Sequence, residues 1–578
     1  MVKSRFIFIF LFILIIFNSI AIFSSYELIY KIKSAPSSNF SSKDLKLVDY
    51  NFIWEEYENA PGNQAGDDSL VFGPSFGPYH NYTELFTKLQ NLEKGFPGII
   101  DLFSIGKTYF GRDIYCVRIT DEAITHPKTE VLIVAQHHAR EQISAENALY
   151  FIDKITNDSL DSSSGIQNLL QTKAIYVIPS LNIDGAELMS QFSWQRKTAR
   201  PIDEDGDGTD DEEEAQDINA DGYIDRMYKW VNGDPEHGTW EIIGHEGQDI
   251  DKDGMIGEDM PGGVDPNRNY DYQFGNQSGA SNNPAHEDYH GPEAFSENCT
   301  ARFRDFVLQR NFLSAVSLHS GTEMIIGPWG WSNRPPTGID GVMYNKTGKA
   351  LEELTTIPFE YLYPASGEWG DWMYTRQNNT LLQFTIETYG NDSAWEAGEY
   401  DPATQIYRDR GVWDAFNPPA NKVIDNCRQV YPGLLFMAEQ APYLTIQAEK
   451  QEIDDQLHLN IQISNPSSYV RTNCSIVLEY SVSDLTGLTL LNTTTPINLG
   501  ELTPKESKKT TLKFTIDQSE YSGRISIRAY GARVGEVLTE YDLSSLSSPT
   551  TISKFNGLIS MSWGAVLIAL VILERKRH

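Results

Sequence analysis

Between residues 79 and 443 the apolar positions gather into short, β-branched runs that stop abruptly at polar residues. Val131–Ala135 reads as a strand buried in a largely parallel sheet, Ala174–Pro179 and Ser314–Leu318 as further short apolar strands, and Leu381–Ile386 as another strand. Ahead of them, Leu85, Leu89 and Leu92 fall at helical spacing until Pro97 stops the pattern, and Ile99–Ile105 and Tyr115–Ile119 alternate like paired strands. Helical and strand segments then alternate to about Tyr443, which predicts an α/β domain over 79–443: a mixed, largely parallel sheet with helices on both faces. After Pro442 the period changes. Leu444–Ala448, Leu457–Ile463, Cys474–Tyr480, Thr510–Ile516 and Ile525–Tyr530 are short alternating segments separated by Asn, Pro, Gly and Ser, and they predict a C-terminal β-sandwich over 444–542.

The two ends carry a different pattern. Lys3 and Arg5 precede an uncharged run, Phe6–Phe23, so residues 1–25 read as a signal peptide or an N-terminal anchor. Residues 26–78 are a polar lead-in punctuated by Pro and Gly. Beyond a Ser/Thr-rich tether at 543–556, the apolar run at 557–573 spans ~25 Å as a helix, slightly short of an average bilayer core but workable as a transmembrane helix. The basic residues in 574–578 then predict a cytoplasmic tail. The expected location is the cell membrane, single-pass, with the catalytic part outside, or secretion if the anchor is removed.

The chemistry sits where the buried runs end, at the strand edge on which open α/β sheets collect ligands. His138 and Glu141 are three apart, so one tight turn can bring both onto a single cation, while the neighbouring His137 must point elsewhere. Zinc accepts nitrogen and carboxylate ligands, and His319, ending the run from Ser314, offers a third. A lone His-x-x-Glu after a strand is usually a surface pair, and further motifs reverse that reading. Between the histidines lie Asn182-Ile-Asp184-Gly185, Trp194-Gln-Arg196-Lys-Thr and Gly263-Val-Asp265-Pro-Asn267-Arg268-Asn269. Downstream come Tyr363-Pro-Ala-Ser-Gly367, Asp371-Trp372 and Phe384-Thr-Ile-Glu387. In this order, across roughly Tyr79 to Tyr443, the set resembles the zinc metallocarboxypeptidases of the pancreatic carboxypeptidase A and B type.

The resemblance implies a role for each residue. His138, Glu141 and His319 hold zinc, and Glu387 is the general base that activates the zinc-bound water. Arg196 stabilises the oxyanion, Asn267 and Arg268 grip the terminal carboxylate of the substrate, and Tyr363 closes over that end. Arg140 matches a subsite arginine, although beside Glu141 it could equally serve as a partner of the ligand. Asn182 and Asp184-Gly185 form a turn, from which Asp184 could orient a ligand histidine. Gly370 falls at the position that separates apolar from basic side-chain preference in such enzymes and decides nothing. Glu368, two residues earlier, could attract Lys or Arg, with a solvated surface Glu the plainer reading. The expected substrates are the C-termini of peptides or proteins. A zinc amidase acting on branched or cell-wall peptides and a non-catalytic peptide-binding ectodomain are the alternatives.

Charge and cysteine content add limits. A net charge of −34 argues against nucleic-acid partners. Four cysteines, Cys116, Cys299, Cys427 and Cys474, are too few for a disulfide scaffold, and nothing in the sequence sets an oligomeric state. Much of the acidity lies in residues 201–262, a departure from the pancreatic pattern. There Asp203, Asp205, Asp207, Thr209, Asp211 and Glu214 occupy a complete Asp-x-Asp-x-Asp-Gly-x5-Glu calcium loop. Partial copies begin at Asp217, Asn219 and Asp221 and at Asp249, Asp251 and Asp253. With no flanking helix pair evident, the segment reads as a calcium-loop insertion, and calcium joins zinc as an expected cofactor.

Overall fold

The computed structural model describes residues 79–546, apart from short segments at 125–127, 190–191, 214, 219–223, 233–238, 251, 253–254, 258, 333, 361–363, 377–381, 392, 394–398, 402–405, 410–411, 442, 467–474, 492–493 and 532–533. The terminal apolar runs and Cys474 therefore lie outside the described residues. Among the described residues no helix is long and apolar enough to cross a membrane.

The central sheet is built from β1 (Ile100–Lys107), β2 (Asp113–Ile119), β3 (Thr129–Ala135) and β4 (Lys173–Ile178), then, after the insertion strands β5 (Arg226–Asn232) and β6 (Thr239–His245), from β7 (Phe312–His319), β8 (Thr322–Ile326) and β9 (Leu382–Tyr389). Their order is β1-β2-β4-β3-β7-β9-β8. The four central strands, β4, β3, β7 and β9, run parallel, and the outer ones join antiparallel. Every residue of β4 and β7 is buried. That is the reason these runs show no alternation in sequence: a strand covered on both faces has no solvent side.

Side-chain direction sorts the two faces. Leu132, Val134 and Ala315 join a core with Phe303 and Phe306 of helix Asn298–Leu308 and with Trp369, Trp372 and Met373 of helix Trp369–Arg376. The alternate residues Val131, Ile133, Ser314 and Val316 are equally buried and point the other way. Helix Val423–Gln440 lies there, since Ser314 Oγ donates to the Met437 carbonyl at 2.9 Å. Between β3 and β7 the chain order reverses, because β4 lies on one side of β3 and β7 on the other. This is the switch point where such sheets open a crevice.

The insertion holds more structure than a loop. Strands β5 and β6 pair with each other, and β5 pairs with β11 (Ile406–Asp409), which pairs with β10 (Glu399–Asp401), giving a second four-stranded sheet. Beneath it Phe192, Trp194, Ile224, Met260, Val412 and Phe416 form a small core, and Trp194 Nε1 donates to the Ile224 carbonyl at 3.0 Å.

After Gln440 come two further antiparallel sheets. β12 (Thr445–Ile453), β13 (Gln456–Ser464), β14 (Ile476–Thr486), β15 (Leu488–Leu490), β16 (Ile497–Gly500), β17 (Ser507–Ile516), β18 (Ser522–Gly531) and β19 (Val534–Asp542) assort as β12-β13-β17-β15 and β16-β14-β18-β19. Burial alternates along β13, with Leu457, Leu459, Ile461 and Ile463 inward, and likewise at Ile525, Ile527 and Ala529 of β18. Cys116, Cys299 and Cys427 are buried thiols that form no disulfide.

Candidate active site

The parallel strands deliver their polar residues to one edge. In the β7–β9 pairing, His319 lies directly beside Glu387. After β3 the chain turns sharply at Gln136, whose φ of +56° is a left-handed conformation that costs a side-chain-bearing residue roughly 1 kcal/mol. Local bonds hold the turn: Gln136 N donates to Ser144 Oγ at 3.1 Å and its side-chain amide to the Ala139 carbonyl at 3.2 Å. As a result His137 and His138 diverge. His137 is locked into the core by Tyr270 Oη at 2.9 Å and Ser317 Oγ at 3.1 Å.

His138 faces the cavity, with Nδ1 at 2.7 Å from Glu141 Oε1, and His319 Nδ1 stands 2.9 Å from Glu141 Oε2. One ligand atom from each of the three side chains fits within 4.8 Å of the others, the spacing of donors around one ion. Three further observations fit a zinc ion here. Among the described residues His319 Nε2 and Glu387 Oε2 are buried and meet no hydrogen-bond partner. Burial shifts His319 toward its neutral form, the form that ligates metal. Burial alone would raise Glu141, yet the two histidines hold it well below the usual carboxylate range. Glu387 moves the other way: burial and the charge of Glu141 push it well above an ordinary glutamate.

Asp265 ties the remaining groups together. Fully buried, it accepts from Arg196 Nε and Nη2 on Oδ2 at 3.1 and 2.9 Å, while Oδ1 meets His138 Nε2 at 3.1 Å and the backbone N–H of Asn267 at 2.8 Å. Burial opposes its charge, but Arg196, His138 and Arg268 outweigh that and hold its pKa well below the carboxylate range. Asp265 was legible in its motif without a role. The role of orienting a ligand histidine, expected of Asp184, belongs to Asp265. Asp184 instead holds the β1–β2 turn, through Thr108 Oγ1, Phe110 N and Arg112 Nη1 at 2.9, 2.9 and 2.7 Å.

Asn267 and Arg268, the pair expected to grip a terminal carboxylate, line the same cavity, which encloses about 580 Å³. Asn267 Oδ1 accepts the Trp369 N–H at 3.0 Å, which leaves its amide nitrogen for a ligand. Arg268 is held by the Gly279 and Asn267 carbonyls at 2.5 and 2.8 Å, and its nearest recorded carboxylate, Asp265, is 3.9 Å away. Arg140 also lines the cavity, but its charge is already matched. Glu287 meets it through two bonds of 3.2 and 3.1 Å and also accepts from Arg226 of β5, while the guanidinium lies 4.4 Å over Phe416. The two arginines hold Glu287 below the usual range against the opposing effect of burial. Glu287 was missed in the sequence, where nothing marks it among so many acidic residues. Tyr363 lies outside the described residues.

Among the described residues of the acidic loop, Asp211 does not join the carboxylates that converge. Asp211 turns away with φ +52° and accepts the Ile202 N–H at 3.3 Å. The carboxylates that converge are Asp203 and Asp205 with Asp259, and Asp205 and Asp207 with Glu212. Thr209 N donates to Asp207 Oδ1 at 2.7 Å, Asp217 is exposed, and Asp249 Oδ1 is buried with no partner. Glu214, Asn219, Asp221, Asp251 and Asp253 lie outside the described residues.

Two histidines and a glutamate around one point, faced by a desolvated carboxylate at the parallel edge of an α/β sheet, define a metallohydrolase centre. The zinc carboxypeptidase family model matches residues 86–433, and the chain belongs to that family. Carboxypeptidase A2 of Mus musculus is 25% identical over 329 residues, which are 55% of this chain and 64% of that protein. Carboxypeptidase A1 of Homo sapiens is 25% identical over 374 residues, 63% of this chain and 70% of that one. The matches thus span about two thirds of these relatives' lengths. Among solved structures, carboxypeptidase A from Helicoverpa armigera aligns with 67% of this chain and 78% of its own at 19% identity, with a TM-score of 0.44.

The central place of Asp265 is testable. Asp265→Ala strips His138 Nε2 and Arg196 of their shared acceptor, and zinc affinity should fall ~10–100-fold. Competition against a chelator of known affinity measures it, and unchanged zinc binding would remove Asp265 from this role.

Proposed function

We propose that this protein is a zinc-dependent carboxypeptidase that hydrolyses the last peptide bond of peptides or proteins. One observation carries the reading: Asn267 and Arg268 share a cavity with His138, Glu141, His319 and Glu387. Arg268 stands 3.9 Å from Asp265, a carboxylate already bonded to Arg196 and His138, so its planar fork can take a C-terminal carboxylate as a closer, bidentate partner. An internal peptide bond offers no such partner, so the pair favours exo-acting cleavage.

His138, Glu141 and His319 would hold the metal, which when bound supplies Lewis acidity and brings the pKa of water toward ~7. Glu387 takes the proton of the attacking water at Oε2, the oxygen without a hydrogen-bond donor, and passes it to the leaving amine nitrogen. Arg196, set in direction by two bonds to Asp265, donates toward the oxygen that gains charge as the carbonyl carbon becomes tetrahedral. Glu387→Gln should keep zinc but lose turnover by ~10³-fold or more, because an amide cannot accept that proton. Near-normal rates at unchanged metal content would refute the assignment. Incubating the zinc-loaded full-length protein with a peptide library and reading products by mass spectrometry tests the reaction itself. Loss of single C-terminal residues supports it, whereas cleavage only at branched amide bonds, or no cleavage, would favour the amidase or the non-catalytic alternative.

The same reading places calcium in the insertion. It is supported by the converging carboxylates and by Asp259 Oδ2 and Glu212 Oε2, which are buried and meet no hydrogen-bond donor. Burial raises Glu204 to about 7 and Asp211 to about 6, and burial together with Glu212 raises Asp259. Carboxylates in the unfolded chain titrate near ~4, so between there and pH ~7 the folded state binds more protons and stability falls as pH rises. Of these groups, Asp259 lies in a converging cluster, and calcium there replaces its proton. The melting temperature should therefore drop from pH 5 to 7.5 without calcium and drop less at ~10⁻³ M calcium with zinc held constant. A profile that calcium leaves untouched would reduce the insertion to an acidic surface.

The reading also keeps the protein on the outer face of a cell membrane, held by the run at 557–573. The inward rows of β13 and β18 support a sandwich of the two C-terminal sheets as the spacer. Full-length protein should sediment with membranes, and truncation near Ser553 should release active enzyme. A truncated form that still sediments would shift the anchor to residues 1–25.

A further inference from the structure

With zinc at one end of the scissile residue and Asn267–Arg268 at the other, the side chain of that residue has one direction left to go. The wall there is formed by Glu368, Gly370, Gln383 and Thr385. A solvated Glu368 is the plain expectation from sequence, and the structure overturns it: the residue is 8% exposed. Its carboxylate caps the start of helix Trp369–Arg376, accepting from Gly370 N at 2.7 Å and Asp371 N at 2.5 Å. Asp371, 1% exposed, accepts from Gly330 N and Trp331 N, both at 2.9 Å. Two buried carboxylates thus stand together on four backbone N–H groups. No lysine or arginine is among the groups that act on either.

Gly370 keeps this pair open to the cavity. A Cβ there would lie 3.1 Å from Glu368 Oε2 and 3.0 Å from Gln383 Oε1, in the space between the carboxylate and the opposite wall. The segment is also fixed in place relative to the carboxylate clamp. Trp369 N bonds Asn267 Oδ1 at 3.0 Å, and Gly367, at φ +67°, packs so closely that a Cβ would come within 2.3 Å of the Arg268 carbonyl. The floor of the cavity is therefore set one residue from the group that holds the substrate's end.

We propose that Glu368 selects substrates whose C-terminal residue is lysine or arginine. The inference rests on the carboxypeptidase reading and deepens it by naming the side chain removed. Desolvating a carboxylate with no counter-charge is costly, and an ammonium or guanidinium entering beside it recovers that cost. Burial and the charge of Asp371 push Glu368 well above the usual glutamate range, so without a cation the pair tends to hold a proton. A basic side chain takes the place of that proton. The chain's net charge of −34 draws the same substrates toward it at long range.

The test uses zinc-loaded full-length protein and matched blocked dipeptides ending in lysine, arginine, Nε-acetyl-lysine, leucine or phenylalanine. We expect kcat/KM for lysine and arginine to exceed that for Nε-acetyl-lysine, equal in reach but uncharged, and for leucine by at least about tenfold. Glu368→Gln keeps one of the two cap acceptors and should lower kcat/KM for the basic substrates relative to that for leucine at least about tenfold, with zinc content unchanged. Should that variant fail to fold, the acetyl-lysine comparison in the wild-type protein still decides. Equal or better cleavage of leucine and phenylalanine, or of acetyl-lysine, overturns this inference alone, as does a folded Glu368→Gln variant with unaltered selectivity. Failure to cleave any of the five overturns the carboxypeptidase reading and this inference with it.

Discussion

One buried carboxylate organises the active site. Asp265 engages His138 through one oxygen and Arg196 through the other, and the backbone of Asn267 donates back to it. The proposed metal ligand, oxyanion donor and carboxylate clamp are therefore tied to a single buried side chain. Burying such a charge is expensive, and only the surrounding cations make it tolerable. The expense buys geometry: three functions that must agree within fractions of an ångström are referred to one point.

The sequence made the strands and their ends readable for a physical reason. Val131–Ala135 and Ser314–Leu318 lie within β3 and β7, and continuous apolar composition is the mark of a strand covered on both sides. His138 then follows within the first three residues beyond β3, and His319 ends β7. What composition could not show was pairing between charges far apart in the chain. Glu287 joins Arg140 across 147 positions and Asp265 joins Arg196 across 69, and neither partner is marked by local pattern. Asp184 was misread on the same ground, since an Asp-Gly turn near a site looks the same whether it faces a ligand or a hairpin. The insertion was read for its carboxylates, so its strands went unnoticed, although Met227 and Ile242 sit in alternating apolar stretches. Asp259 escaped because a cation-loop motif presumes that one continuous segment supplies every ligand, and Glu212, inside that segment, because it falls at none of the motif's ligand positions.

The insertion is joined to the site through more than proximity. Arg226 of β5 shares Glu287 with Arg140 and lies 4.7 Å over Trp194, two residues before Arg196. Lys197, next to Arg196, pairs with Glu204 at the head of the acidic loop, and Glu204 N donates to Asp259 Oδ1 at 3.0 Å. The insertion therefore touches the neighbours of Arg196 through two ion pairs, Arg226–Glu287 and Lys197–Glu204.

The pairing of β5 with β11 has a consequence for how the chain is made. Lys229 meets Ile406 in that register, so a segment synthesised early must wait for one that leaves the ribosome some 180 residues later. Until then the β5–β6 hairpin has one unpaired edge and a half-covered core around Trp194, the kind of exposed strand that invites association with other chains. Such long-range closure is slow compared with helix formation, and it falls at the segment richest in negative charge. Mutual repulsion among those carboxylates would then act as a guard during synthesis, keeping nascent copies apart until the later strand arrives to finish the sheet.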